Sequence, residues 1–260
     1  MSESMNKILK VVIIAEAALI AVCMTLTIIF SAVRANSPVT ATASASASDQ
    51  TASASNDQSA SDSADTGLAD GEYENEEYKY VVSGENCYIK QYIGSNTRVI
   101  VPAMIEDKKV TKIGESAFYL RTDIESVSLP DSVTEIGSDA FHNCIDLETV
   151  NLGSGLTSIG GFAFFVCQKL QSITIPDSVT SIGEQAFYGC IALETVILGS
   201  GVKTIGRRAF LSCISLITAE FKNTSGWSVD GIAVDVTDAS QNATMLRETN
   251  LDSIWSRSDQ

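Results

Sequence analysis

The sequence predicts an α/β solenoid of 23-residue repeats, with short strands and short helical turns, preceded by an N-terminal transmembrane helix and a disordered linker. The main observation is five units in succession without an insertion, each 23 residues after the last. The second is an apolar run near the start of the chain, and the third is a Ser/Ala-rich segment between that run and the repeats. The units start at Val110, Val133, Leu156, Val179 and Val202.

Each repeat contains two extended pieces and one compact turn. A fixed period near 23 residues with alternating aliphatic positions is the leucine-rich-repeat pattern. In the second unit, Leu147, Val150 and Leu152 predict a strand whose alternate side chains face inward. A Pro-Asp-Ser or Gly-Ser-Gly turn ends that strand. The Val-Thr-x-Ile-Gly piece predicts another short extended segment, and the Ala-Phe-x-x-Cys piece predicts a helical turn with Ala, Phe and Cys inward.

These units closely resemble the BspA-like leucine-rich repeats of bacterial surface proteins. The matching words are the Ile-Gly-x-x-Ala-Phe-x-x-Cys-x-x-Leu core and the strand that ends in Leu-Pro-Asp-Ser. Residues 87–114 look like the shorter first unit that caps such solenoids, and residues 221–257 are similar to a tail after the last repeat. The resemblance covers roughly residues 80–257 and implies cell-surface adhesion only loosely, because a fold does not fix a function.

The organisation of the chain follows from these segments. Ten residues form a cytoplasmic tail, and a signal-anchor helix or signal peptide follows. A disordered linker, an N-terminal cap half-repeat, five repeats and a C-terminal cap complete the chain. The boundaries are residues 1–10, 11–33, 34–79, 80–109, 110–224 and 225–260 respectively.

The apolar run from Val11 to Val33 contains one charge, Glu16, and is long enough to cross a bilayer. Lys7 and Lys10 precede it and Arg34 follows it, so the positive-inside rule places the N-terminus inside the cell. The expected localisation is a single-pass membrane protein with an extracellular C-terminal domain. Small residues around Arg34 leave open the alternative of a signal peptide that is cleaved, which would give a secreted protein.

The linker cannot form a core. Ser, Ala and Thr make up 21 of residues 37–66, with no aromatic residue and no cation. Such a segment buries too little apolar surface to offset chain entropy. The linker is therefore expected to be a flexible, acidic spacer.

Composition excludes several classes of function. The formal charge of −15 argues against nucleic acid as a partner, since phosphate binding needs clustered cations. The chain has one histidine, His142, and no catalytic constellation, so the sequence predicts neither an enzyme nor a metal or cofactor site. His142 occupies a variable position without an acid in register, and we expect it to be solvated. Four cysteines, 23 residues apart, predict a free and buried ladder beside Phe: Cys144, Cys167, Cys190 and Cys213.

The C-terminal cap is predicted to close the open end of the core. Residues 227–236 suit a hairpin around Asp230-Gly231, a good tight-turn pair. Residues 239–248 suit a short helix that begins near Asp238. The side chains expected to cover the core are Trp227, Val234, Leu246 and Trp255.

The outward side chains of the repeat strands are the candidate binding site. They are mostly uncharged and polar, and solenoids bind partners on such faces. The central candidates, expected to form one continuous patch, are Thr149, Asn151, Ser172, Thr174, Thr195 and Ile197. The predicted function is non-enzymatic adhesion to a protein or glycan of a host, matrix or neighbouring cell. The alternatives are a structural envelope protein without a ligand and, less favoured, an envelope enzyme.

Overall fold

The computed structural model describes residues 68–249 and 252–258 of the chain. The predicted cytoplasmic tail, the span 11–33 and the linker up to residue 67 lie outside the described residues. Among the residues that are described, no helix is both long and apolar enough to cross a membrane.

The N-terminal cap begins earlier than the sequence predicts. Its first strand, β1 (Gly71–Glu74), pairs antiparallel with β2 (Tyr78–Ser83), and β2 pairs with β3 (Asn86–Tyr92). The linker predicted for residues 34–79 is therefore wrong at its C-terminal end. The physical reason is the alternation of acids with tyrosines, which places Tyr78 and Tyr80 in the core, each 2% exposed. Three further strands complete the cap: β4 (Arg98–Ile100), β5 (Met104–Ile105) and β6 (Lys108–Ile113).

The repeats contribute two sets of parallel strands, which confirms the leucine-rich-repeat solenoid. The Val-Thr-x-Ile pieces extend one long sheet from β6 by strand-to-strand pairing. These strands are β8 (Glu135–Ile136), β10 (Ser158–Ile159), β12 (Ser181–Ile182) and β14 (Thr204–Ile205). The other set forms the candidate binding face together with β4. Its members are β7 (Ser126–Ser128), β9 (Thr149–Asn151), β11 (Ser172–Ile175), β13 (Thr195–Leu198) and β15 (Thr218–Phe221).

The Ala-Phe segments are turns and not helical turns, which corrects the sequence prediction. Two residues of each segment have left-handed backbone, such as Asp139 at φ 55° and Asn143 at φ 57° in the second repeat. A helix cannot pass through such residues. Their N–H groups instead donate to the next repeat: Asp139 to Gly161 O at 3.0 Å and Asn143 to Phe165 O at 2.8 Å. The turns thus bond repeat to repeat, as the strands do.

A column of phenylalanine rings forms the centre of the core. Neighbouring rings lie 4.7–5.1 Å apart between centroids, and each ring is fully buried. The column comprises Phe118, Phe141, Phe164, Phe187 and Phe210. Because one repeat contributes one ring, the column is continuous only when the repeats stack.

The C-terminal cap agrees with the predicted hairpin and helix. Strands β16 (Trp227–Val229) and β17 (Ile232–Ala233) pair antiparallel, with Asp230 and Gly231 at φ 49° and 81° in the turn. The helix α1 (Ala239–Thr244) follows the N-cap Asp238, whose carboxylate accepts from two backbone N–H groups. A π-helical turn (Met245–Thr249) continues it, and β18 (Trp255–Arg257) ends the described chain.

This cap covers the last repeat with side chains and with hydrogen bonds. Trp227, Leu246 and Trp255 are buried, and Val234 packs partly buried against the core, as predicted. The buried Asn242 Nδ2 donates to Ala219 O of β15 at 3.0 Å. These contacts close the C-terminal edge of the binding face.

Candidate binding face

The six predicted site residues lie on three strands of the outward face. Thr149 and Asn151 are exposed on β9, and Ser172 and Thr174 are exposed on β11. Thr195 and Ile197, on β13, are partly exposed and pair in register with the two β11 residues. The strand alternation therefore directs all six side chains away from the core, as the sequence pattern predicts.

The face is divided between β9 and β11. Strands β4, β7 and β9 form one three-stranded sheet, and β11, β13 and β15 form another. Within the described residues, no ladder of main-chain hydrogen bonds joins the two sheets. The prediction of one continuous patch is thus corrected to two patches that meet at an opening.

The turns that end the strands explain where the division falls. The Gly-Ser-Gly turn of the second repeat nests on the Pro-Asp-Ser turn of the first, so closely that a Cβ on Gly153 would overlap Pro130 O. Asp131 Oδ1 also accepts from the backbone N–H of Ser154 at 2.7 Å. The same nesting joins the fourth repeat to the third, where Ser200 N donates to Asp177 Oδ1 at 2.8 Å.

The second and third repeats lack this nesting, because the order of the two turn types is reversed between them. Pro176 occupies the position that Lys222 occupies two repeats later, and Lys222 N–H donates to Leu198 O at 3.0 Å. A proline has no N–H to make the equivalent bond to β9. Repeats one and two therefore form one unit and repeats three and four form another.

A groove of about 640 Å³ lies along the outward face at this division. Val150 and Leu152 of the second repeat contribute to its floor and are only partly buried, whereas their equivalents Ile173 and Ile175 in the third repeat are 2% and 0% exposed. The lining residues are Arg98, Val99, Ile100, Ser126, Val127, Ser128, Thr149, Val150, Asn151, Leu152, Ser172, Thr174 and Pro176. Four of the six predicted site residues thus line the groove, and the two on β13 do not.

The groove carries almost no net charge. Arg98 is the one charged residue of its lining, and its Nε lies 3.1 Å from Glu125 Oε2. Both side chains are well exposed, so this ion pair contributes little to stability. Its consequence is a locally neutral surface on a strongly acidic chain.

Comparison with known proteins places this geometry in a family. The model of the BspA-type leucine-rich repeat region matches residues 108–227 with six copies. The crystal structure of a leucine-rich repeat protein from T. pallidum is 33% identical, with a TM-score of 0.55, over 57% of this chain and 71% of that one. The chain belongs to the BspA-type leucine-rich repeat family.

Another member of known structure supports the same fold for this BspA-type chain. A leucine-rich repeat protein from Bacteroides ovatus is 29% identical with a TM-score of 0.52. The match covers 57% of this chain and 40% of the B. ovatus chain, so this chain spans less than half of that relative. The comparison with curated proteins gives no match.

The repeat cysteines of this BspA-type chain lie in the core, as predicted. Each is a free, buried thiol that donates to the carbonyl oxygen of a phenylalanine 26 residues earlier, at 3.1–3.2 Å. Burial raises the pKa of Cys144 to about 12 and also raises the pKa of Cys167 and Cys213. The thiols therefore stay protonated and are poor nucleophiles. In the part of the chain that the structure describes, no group of three His, Cys, Asp or Glu residues could hold a metal ion.

His142 differs from its prediction. Its Nδ1 lies 2.6 Å from Asp139 Oδ1, its side chain is 17% exposed, and its ring stacks between Tyr119 and Phe165. The expectation of a solvated histidine without a nearby acid is therefore wrong. The left-handed backbone of Asp139 turns the chain so that residues three apart meet.

Sequence reasoning missed the groove itself. Its floor residues, Val150 and Leu152, carry the same inward pattern as the fully buried residues of other repeats. A signal existed in the alternation of Pro-Asp-Ser and Gly-Ser-Gly turns, which gives a 46-residue period on top of the 23-residue one. That period marks where neighbouring turns nest and where they do not.

Proposed function

We propose that this chain is a non-enzymatic interaction module of the cell surface, which binds an extracellular protein or glycan through the outward residues of β7, β9, β11 and β13. The observation that carries the proposal is the row of exposed, uncharged polar side chains beside a partly apolar groove. Family membership supports a binding or structural role, and it supplies no ligand.

The expected mode is weak binding per domain that is strengthened by many copies. Side chains such as Ser126, Ser172 and Thr174 are small and bury little area each. A protein held on the membrane by residues 11–33 and spaced from it by a flexible linker would present many such faces at once. Simultaneous engagement raises the apparent affinity without new contacts.

The binding proposal is tested with the full chain on arrays of matrix proteins and glycans. Asn151→Arg and Thr174→Arg add bulk and charge to the face while the inward core stays unchanged. Thr180→Arg is the matched control, because Thr180 is also exposed but precedes β12 on the long sheet. Loss of an array ligand in the first two variants and retention in the control is the expected result. Retention in all three folded variants would reject the strand face.

The topology belongs to the same proposal and has its own test. Residues 80–260 are proposed to lie outside the cytoplasmic membrane and to remain attached to it. Protease treatment of intact cells should remove the repeats and leave the N-terminal residues with the membrane fraction. Full protection of the repeats would reject this orientation, and a released form that starts near Asn36 would indicate signal cleavage.

A further inference from the structure

We propose that the groove at the division of the binding face docks an extended, uncharged peptide segment of a partner protein, whose aliphatic side chain packs between β9 and β11. This inference rests on the proposed binding function and names the chemistry of the partner. It concerns the groove alone and not the rest of the outward face.

The floor of the groove has the chemistry of an aliphatic side-chain pocket. Val150 and Leu152 are half-buried here, while the equivalent residues of the first, third and fourth repeats are buried at 4% exposure or less. Pro176 and Val127 add further apolar lining. Covering this surface with an aliphatic group removes it from water, which is favourable in proportion to the area.

The rim of the groove has the chemistry of a peptide-backbone partner. Thr149, Asn151, Ser172 and Thr174 supply hydroxyl and amide groups that both donate and accept. The facing main-chain edges of β9 and β11 are not joined to each other in the described structure, and strand edges of this kind pair with extended peptides. The volume of about 640 Å³ accommodates several residues and not a single side chain.

Charge and ring chemistry select against other occupants. The one cation of the lining, Arg98, is paired with Glu125, so the groove attracts neither an anionic nor a strongly cationic segment. None of the lining residues is aromatic, so the groove offers no ring face for stacking on a sugar. A neutral peptide segment satisfies the floor, the rim and the charge together.

The test uses the full chain and fluorescently labelled heptapeptides in an anisotropy titration. The probe is Ser-Thr-Ser-Leu-Ser-Thr-Ser, and its central residue is changed to Ser, Lys or Glu. The Leu peptide should bind at least about tenfold more tightly than the Ser peptide, the ratio expected for burying one aliphatic side chain. The Lys and Glu peptides should be weaker still, because a charge would be buried without a partner.

Two matched variants locate the site. Ser172→Trp fills the groove, whereas Thr195→Trp adds the same ring to the register partner on β13, outside the groove. Binding of the Leu peptide should be lost in the first variant and kept in the second, with both variants folded by thermal unfolding. Equal loss in both would overturn the groove as the site while leaving binding by the outward face intact.

The remaining outcomes separate this inference from the proposed function. Equal affinity for the Leu and Ser peptides, or no peptide binding while an array ligand still binds, overturns the inference alone. A glycan that competes with the Leu peptide overturns the choice of a peptide. A peptide copying residues 37–48 that binds more tightly than the Leu peptide assigns the groove to the linker of this chain and overturns the choice of a partner protein.

Discussion

The guanidinium of Arg121 donates to the main-chain oxygen of Tyr92 at 3.3 Å, where each later repeat has a cysteine thiol that donates to a phenylalanine oxygen. The Tyr92 ring stacks on Phe118 at 5.1 Å and so begins the phenylalanine column. Arg121 also donates to Gly94 O at 2.9 Å and lies 4.7 Å from the centre of the Tyr92 ring. Arginine at the first cysteine position thus fastens the repeats to the N-terminal cap.

We therefore predict that Arg121→Ala destabilises the protein by about 1–3 kcal/mol, because it removes hydrogen bonds of a charged group to buried carbonyls. Arg121→Cys should cost less, since the thiol restores the bond that the other repeats make to the preceding aromatic residue. Thermal unfolding of the full chain gives the comparison. If Cys proves as costly as Ala, the thiol bond contributes nothing at this position.

The phenylalanine column gives a comparison within one repeat. Phe164→Ala should destabilise by about 3–5 kcal/mol, because a fully buried ring leaves a cavity between two stacked neighbours. Phe165→Ala, one residue later, should cost only about 1 kcal/mol because that ring is partly exposed. Equal losses in denaturant titrations would contradict the inward assignment of Phe164.

Most of this fold could be predicted from the sequence because it is a repeat. Five registers of Ile-Gly and Ala-Phe specify which side chains share the core, and Asp230-Gly231 specifies the hairpin of the cap. The Ala-Phe turns were beyond such reasoning, since alternating right- and left-handed backbone at Asp139 and Asn143 has no residue-type signature. Asn143 tolerates that backbone well, but Val166 at the same position does so only because both neighbouring repeats hold it.

The candidate site was predictable in part. Alternation along β9 and β11 identified the outward residues, since that pattern is local. The division between these strands depends on how the turn of one repeat contacts the turn of the next. Pro176 and Gly153 acquire their effect only in that stacked arrangement, which no single repeat reveals.

The cysteine ladder should be chemically silent in the folded protein. We expect Cys144, Cys167, Cys190 and Cys213 to remain unlabelled by an alkylating reagent until denaturant is added, because all four thiols are buried and raised pKa values keep thiols such as Cys144 protonated. Mass spectrometry before and after denaturation counts the labels. A mass that indicates two disulfide bonds would refute the prediction of free thiols.

The nested turns should tolerate no side chain at their glycines. A Cβ on Gly155 would overlap the main-chain oxygen of Asp131, so Gly155→Ala must push two repeats apart. We expect a loss of about 1–3 kcal/mol in stability, typical of overpacking. Gly161→Ala is the control, because its nearest neighbour lies 3.3 Å from the added Cβ. A cost at Gly155 no greater than that at Gly161 would show that the turns do not nest closely.

His142 should make the stability of the protein depend on pH in a definite direction. Burial lowers the pKa of this imidazole below its ordinary 6.5, and the hydrogen bond to Asp139 opposes that shift only in part. The rings of Tyr119 and Phe165, which stack on either side, are uncharged and give the imidazolium no ion partner. The folded protein therefore prefers neutral His142 more strongly than the unfolded chain does.

It follows that the unfolded chain takes up the proton first as the pH falls. The contribution of His142 to stability is complete above the unfolded pKa near 6.5 and declines as the pH drops towards the lower folded value. Denaturant titrations of the parent and of His142→Gln should therefore differ least near pH 5 and most near pH 7.5. Because His142 is the one histidine of the chain, NMR titration assigns its pKa without ambiguity. A measured pKa above 6.5 would mean that the Asp139 carboxylate outweighs burial, and the dependence on pH would then have the opposite sign.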